Sequence, residues 1–200
     1  MNSITNFRQH RANGFTLVEV LVSIIIFSIG LIGIAKLQVV SKQSNYDAVQ
    51  RVTATSLAQD LLERMRANNQ QLLTYVSVNG LNTLGRGSIT SEPTPVCDSA
   101  NTCAAGELAT HDLWEFEQAL DGVTEQNADG DSLGGLSVPT ACISGPTTGA
   151  SGVYTIAIAW RGKTGLSNPT ASTCGATTDY LYGTNHEYRR LLVIQTFIST

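Results

Sequence analysis

The sequence predicts an α+β fold: a long N-terminal helix, apolar all round in its first half and amphipathic in its second, packed on a small antiparallel β-sheet head with disulfide-tied loops. Three observations predict it. An apolar run from Phe15 to Ala35 passes into a striped segment without Pro or Gly, the last third of the chain alternates apolar and polar residues, and all four cysteines lie well beyond the apolar run. The chain has 200 residues, which suits one domain of about 100–150 residues plus an attached segment.

The run from Phe15 to Ala35 contains one full charge, Glu19, and is closed by Lys36. As a helix it is about 31 Å long, close to the ~30 Å hydrocarbon thickness of a bilayer. Residues 15–36 are therefore expected to form a transmembrane helix. Residues 1–14 form a basic leader with Arg8, His10 and Arg11, and the positive-inside rule keeps such a leader in the cytoplasm and sends residues 37–200 to the other side. An ordinary secretory signal has its small-residue cleavage site after the apolar run. Here the small residue, Gly14, comes before it, so a cut between Gly14 and Phe15 would remove the leader and keep the anchor.

Glu19 requires an explanation, because a carboxylate in a spanning helix costs a few kcal/mol. One reading lets it snorkel to the nearby interface. The other notes that a cut would free an amine at Phe15, four residues earlier on the same helical face, and that a buried charge is tolerated when paired. Gly30 and Gly33, with Ser23 and Ser28, either admit close packing of neighbouring helices or reflect the ordinary abundance of glycine in membrane helices.

Beyond Lys36, Tyr46, Val49, Val52, Leu57, Leu61 and Met65 recur at three- and four-residue steps, with Ala54 and Ala58 on the same flank. That stripe predicts that the helix continues to about Asn68-Asn69 and covers a head comprising the rest of residues 37–200. Residues 77–110 are rich in Gly, Ser, Thr, Asn and Pro and read as a loop stapled by Cys97 and Cys103. A short second helix is expected from Asp112 as cap, with Glu115 completing a capping box and Gly122 as the stop. Trp114, Glu115 and Glu117 on it would either form a binding face or pack the aromatic against the head. Tyr154, Ile156, Ile158 and Trp160 then share one strand face, Leu191, Val193, Gln195 and Phe197 alternate along a second strand from Arg190 to Ile198, and Val138–Ile143 adds a third. An even count of cysteines on one side of a membrane segment is the product of an oxidising compartment. Of the three possible pairings, the simplest joins Cys97 to Cys103 and Cys142 to Cys174, the second tying the long 161–188 connection to the sheet.

The net charge of −4 becomes more negative once the leader is removed, which argues against nucleic acid as a partner. Scattered histidines (His10, His111, His186) and the lack of a C-x-x-C spacing give no zinc or redox site, so neither metal nor other cofactor is expected. Asn127-Ala128-Asp129-Gly130-Asp131 alternates oxygen ligands but lacks a closing carboxylate and reads as a solvated turn. No Gly-x-Ser-x-Gly elbow or comparable context supports catalysis, so no enzyme activity is expected. Arg161-Gly162-Lys163 and Arg189-Arg190 would meet either as a small basic spot or as strand-edge charges that discourage unwanted pairing.

Gly14-Phe15-Thr16-Leu17-Val18-Glu19 closely resembles the recognition site of the type IV prepilin family. The resemblance implies that the prepilin peptidase cuts between Gly14 and Phe15 and N-methylates Phe15. It also implies that Glu19 docks on the terminal amine of a neighbouring subunit, with no catalytic part. Many filament-building members carry a proline in this helix, and this chain has none before Pro93. The run Cys103–Ala109, followed by Asp112-Leu113-Trp114, Phe116-Glu117, Trp160-Arg161 and Arg189-Arg190, is similar to the type IV pilus modification (PilV) group of minor pilins. That implies a low-abundance subunit that helps to initiate or prime pilus assembly. Its partners would be other minor pilins, the major pilin, the prepilin peptidase and the inner-membrane pilus assembly machinery. It would sit first in the inner membrane as a single-pass protein with a periplasmic head, and later in the pilus at the cell surface. Two other readings remain: a tip adhesin or DNA-binding module, and a pseudopilin of a type II secretion system.

Overall fold

A computed structural model describes residues 14–77, 83–98, 101–129, 132, 134–176 and 180–200. These form two units, one ending at Lys42 and the other running Gln43–Thr200. Helix α1, Leu17–Ala67, is a single element of 51 residues. In the first unit every described residue is exposed.

In the second unit α1 supplies one wall of the core through Ala54, Ala58, Leu61, Leu62 and Met65. This corrects the expected stripe at its start: Val49 and Val52 are 61% and 69% exposed. The buried residue on that turn is Gln50, whose side chain donates to the Gly135 carbonyl at 3.2 Å and accepts the Ser137 N–H at 2.8 Å. A polar anchor thus takes a place that an apolar pattern passes over. The helix ends at Ala67, as its sequence predicts, and a 3-10 turn Asn69–Gln71 leads into α2, Leu72–Ser77.

Helix α3 spans Ala105–Asp121. It starts upstream of Asp112, so Asp112 and Glu115 are not its cap. The Glu107 carboxylate instead accepts the Ala104 N–H at 2.8 Å. Gly122 ends the helix in the left-handed region (φ 68°) as expected, and a Cβ there would collide with the Gly134 backbone. Asp112 is buried and serves three elements at once: it accepts from Arg64 of α1 at 2.9 Å and from the Tyr75 hydroxyl of α2. Arg64 also binds Asp60 at 2.9 Å and Glu115. Burial works against the Arg64 charge, but its bonds to Asp112 and Glu115 and the nearby Asp60 outweigh it and raise the guanidinium above its ordinary value. Burial first, and then the bond to Asp112, push the Tyr75 phenol well above its usual range.

Strands β1 (Thr140–Ser144), β2 (Gly152–Arg161) and β3 (Arg189–Ile198) form an antiparallel sheet in the order β1-β2-β3. Val138 has φ 51°, so β1 begins just after the Val138 expected to open it. Tyr154, Ile156, Ile158 and Trp160 are buried on one face of β2. Leu192 and Ile194 lie opposite Ile158 and Ile156 and pack on the same core. The Leu191, Val193, Gln195 and Phe197 set is therefore not the core face of β3. Disulfides join Cys97 to Cys103 and Cys142 to Cys174.

Of the arginines near the strand ends, Arg189 and Arg161 are bonded into the head and form neither a free basic spot nor solvated edge charges. Arg189 is buried and donates to Asn168 Oδ1 (2.9 Å), to the Ser172 and Cys174 carbonyls (2.9 and 2.6 Å) and to that of Pro169. Arg161 donates to the Leu181 carbonyl and lies 4.8 Å from the Tyr188 ring centroid, while Lys163 lies 4.6 Å from that of Tyr46. The two arginines tie the connection between β2 and β3 to the sheet, and Lys163 lies against α1.

Two outcomes are expected. Arg189→Ala should lose about 3 kcal/mol in chemical denaturation of the full chain in detergent, because it strands several buried acceptors. Tyr75 has its folded-state pKa raised, so its contribution is complete below about pH 10, the ordinary phenol value, and is lost as pH rises above it. Tyr75→Phe should therefore flatten the alkaline fall in stability measured by the same assay.

Candidate functional site

The residues Gly14, Phe15 and Thr16 precede α1 in non-helical backbone. Nothing lies within 4 Å of a Cβ built on Gly14, and Phe15 is 83% exposed. Among the described residues, none packs against Gly14, and Phe15 is exposed. Thr16 is the turning point. Its hydroxyl accepts the Glu19 N–H at 3.3 Å, and its carbonyl accepts the N–H groups of Glu19 and Val20 at 3.1 and 3.3 Å. This is one arm of a capping box, and Thr16-x-x-Glu19 is its sequence signature. The spacing was readable in the sequence but is masked there by the apolar run around it. It places Glu19 in the first turn of α1, where unpaired N–H groups and the helix dipole favour an anion.

Phe15, Glu19, Ser23 and Phe27 recur every four residues and, with Val20 and Ile24, line a groove of about 470 Å³. Among the described residues none forms an ion pair with Glu19. The groove presents one carboxylate on an apolar strip. Other polar groups of the strip are closed off: the Ser23 and Ser28 hydroxyls donate at 2.7 Å to the carbonyls of Glu19 and Ile24, four residues back. Side chains that satisfy themselves within the helix suit a hydrocarbon surrounding. Gly30 and Gly33 have nothing within 4 Å of a built Cβ, so both remain open to a close neighbour. By length and composition α1 can cross a membrane, and none of its apolar stretch is buried.

The other sequence candidates are absorbed by the fold. Glu117 is buried and accepts the Gly85 and Ser88 N–H groups at 2.5 and 2.6 Å and the Ser88 hydroxyl at 2.8 Å. Glu115 is committed to Arg64. The acidic face proposed around Trp114 is thus not a free binding face, and Trp114 packs with its ring centroid 5.4 Å from that of His111. Buried His111 lies 3.7 Å from Glu92 and 3.9 Å from Glu115. Among the described residues no group of three His, Cys, Asp or Glu side chains is placed to hold a metal ion. The Asn127 side chain accepts the Asp129 N–H at 3.0 Å, as in a turn. Gly130 and Asp131 lie outside the described residues, as do Arg8, His10 and Arg11.

A family model for type IV pilin Tt1218-like proteins matches residues 36–114, and one for the prokaryotic N-terminal methylation motif matches residues 9–35. The two matches meet at Lys36, which closes the apolar run. No curated protein and no solved structure matches the chain.

The cap makes a direct prediction. Thr16→Val should free the first turn and speed hydrogen exchange of the Glu19 amide roughly fivefold, for a cap worth about 1 kcal/mol. Exchange at Ala54 and Ala58 should be unchanged.

Proposed function

Since the chain is a member of the type IV pilin-like superfamily and carries its N-terminal methylation motif, we propose that it is a minor pilin that helps to prime pilus assembly. The prepilin peptidase cuts between Gly14 and Phe15 and methylates the new amine of Phe15. Residues 15–36 hold the mature subunit in the inner membrane with its disulfide-bonded head in the periplasm. Other minor pilins, the major pilin and the inner-membrane machinery then draw it into the pilus.

The observation that carries this reading is Glu19: a first-turn carboxylate on an exposed apolar strip, with no cation of its own among the described residues. In an apolar surrounding such a charge is expensive alone and acceptable when paired. Cleavage supplies a suitable partner, the terminal amine of an adjacent subunit. The narrower assignment to minor pilins rests on the head segments around Cys103–Ala109, Asp112–Glu117 and the strand-end arginines. Of these, Arg189 and Asp112 are buried and hydrogen-bonded within the head.

Glu19→Ala as the only copy should still be cleaved at Gly14, seen as the small mass loss of the leader, yet fail to co-purify with the other minor pilins, and piliation should fall. Normal piliation with this variant would overturn the docking role. Deletion of the whole gene should remove pili and leave protein secretion intact; the reverse result identifies a secretion pseudopilin instead.

A further inference from the structure

Two buried donors at one end of the sheet, Trp160 Nε1 and Arg190 Nη1, have no hydrogen-bond partner among the described residues. The two residues face each other across the β2–β3 register, and both line one cavity of about 330 Å³. Folded proteins seldom leave buried donors unpaired, and two on residues that line one cavity mark a place where an acceptor is due.

The remaining wall defines what kind of acceptor. Ala48, Leu166 and Leu191 are apolar, and Arg51 stands at the rim of the same cavity. Arg190 uses its other nitrogen on the Thr164 carbonyl at 2.6 Å and on Asp47 at 3.6 Å. The Arg51 side chain is exposed and makes no ion pair or hydrogen bond with a described residue. Two guanidinium groups against one carboxylate leave one positive charge unbalanced. Guanidinium groups match the planar fork of a carboxylate, and an apolar cavity with a few convergent polar groups has the make-up of a ligand site.

We propose that this cavity, formed by α1 and the end of the β2–β3 ladder, binds a carboxylate carried on a short aliphatic group. One oxygen accepts from Trp160 Nε1 and the other from Arg190 Nη1, Arg51 supplies the balancing charge, and the aliphatic part lies on Leu166 and Leu191. Trp160 is only 3% exposed, whereas Leu166 is 58% exposed. The Leu166 backbone is held by its N–H bond to the Glu187 carbonyl at 2.7 Å. Both donor atoms are closed off from solvent, so entry needs lining side chains to move.

The test uses the full-length chain, labelled with nitrogen-15, in detergent micelles. The chain has two tryptophans, and a Trp114→Phe variant assigns the indole signals. Titration with 4-methylpentanoate should shift the Trp160 indole N–H downfield and saturably in the millimolar range, with the Trp114 signal unmoved. Its uncharged analogue 4-methylpentanamide should bind far more weakly. Arg51→Gln alters an exposed side chain and should leave the free spectrum intact while weakening binding roughly fivefold, as for loss of one charge-assisted contact. The proposal is overturned by no saturable shift at Trp160, by both indoles moving together, by equal binding of the amide, or by unchanged binding in Arg51→Gln.

Discussion

One helix has to satisfy two unlike surroundings, and the rest of the structure follows from that constraint. Through its first half α1 has no packed neighbour among the described residues, and such a helix is stable where apolar side chains are welcome on every side. Through its second half it needs a single covered face, and Ala54, Ala58, Leu61, Leu62 and Met65 provide it. All five lie in one core cluster with buried residues of α3 and the sheet. Charge is managed accordingly. In the apolar half it is confined to the first turn, where Thr16 and the helix terminus accommodate Glu19.

Inside the head, ionic groups act as joints between elements. Arg64 and Asp112 come from helices far apart in sequence, and Tyr75 and Asn68 complete the junction, the Asn68 side chain donating to the Ala105 carbonyl at 2.7 Å. Glu117 does the same for the 85–88 turn, and Arg189 for the loop behind the sheet. A surface pair contributes little to stability. These groups are mostly shielded, so removing one partner leaves the other stranded, and the head is held to one arrangement of its loops.

Much of this was legible in the sequence because it rests on local pattern. The anchor is a composition signal, the β2 face an alternation of Tyr154, Ile156, Ile158 and Trp160, and the stop at Gly122 a backbone requirement. What was not legible depends on partners distant along the chain. Asp112 has the residue type of a helix cap, but its carboxylate is claimed by Arg64, and the true start is set by Glu107 reaching back to Ala104. Val49 and Val52 fit a helical stripe by spacing, yet the 135–137 segment meets the helix at Gln50 instead. Arg189 stands in an ordinary strand-edge position, and only the folded course of residues 168–174 shows that it is enclosed.

The bridge from β1 to the long connection also has a mechanical meaning. Cys142 and Cys174 are 32 residues apart in sequence. A chain drawn out by its ends yields about 3.5 Å per residue, so the bond withholds roughly 110 Å of slack. Under load the head would stop lengthening at that knot even after its core had given way. How far one subunit can stretch is then set by the redox state of its surroundings as much as by its packing.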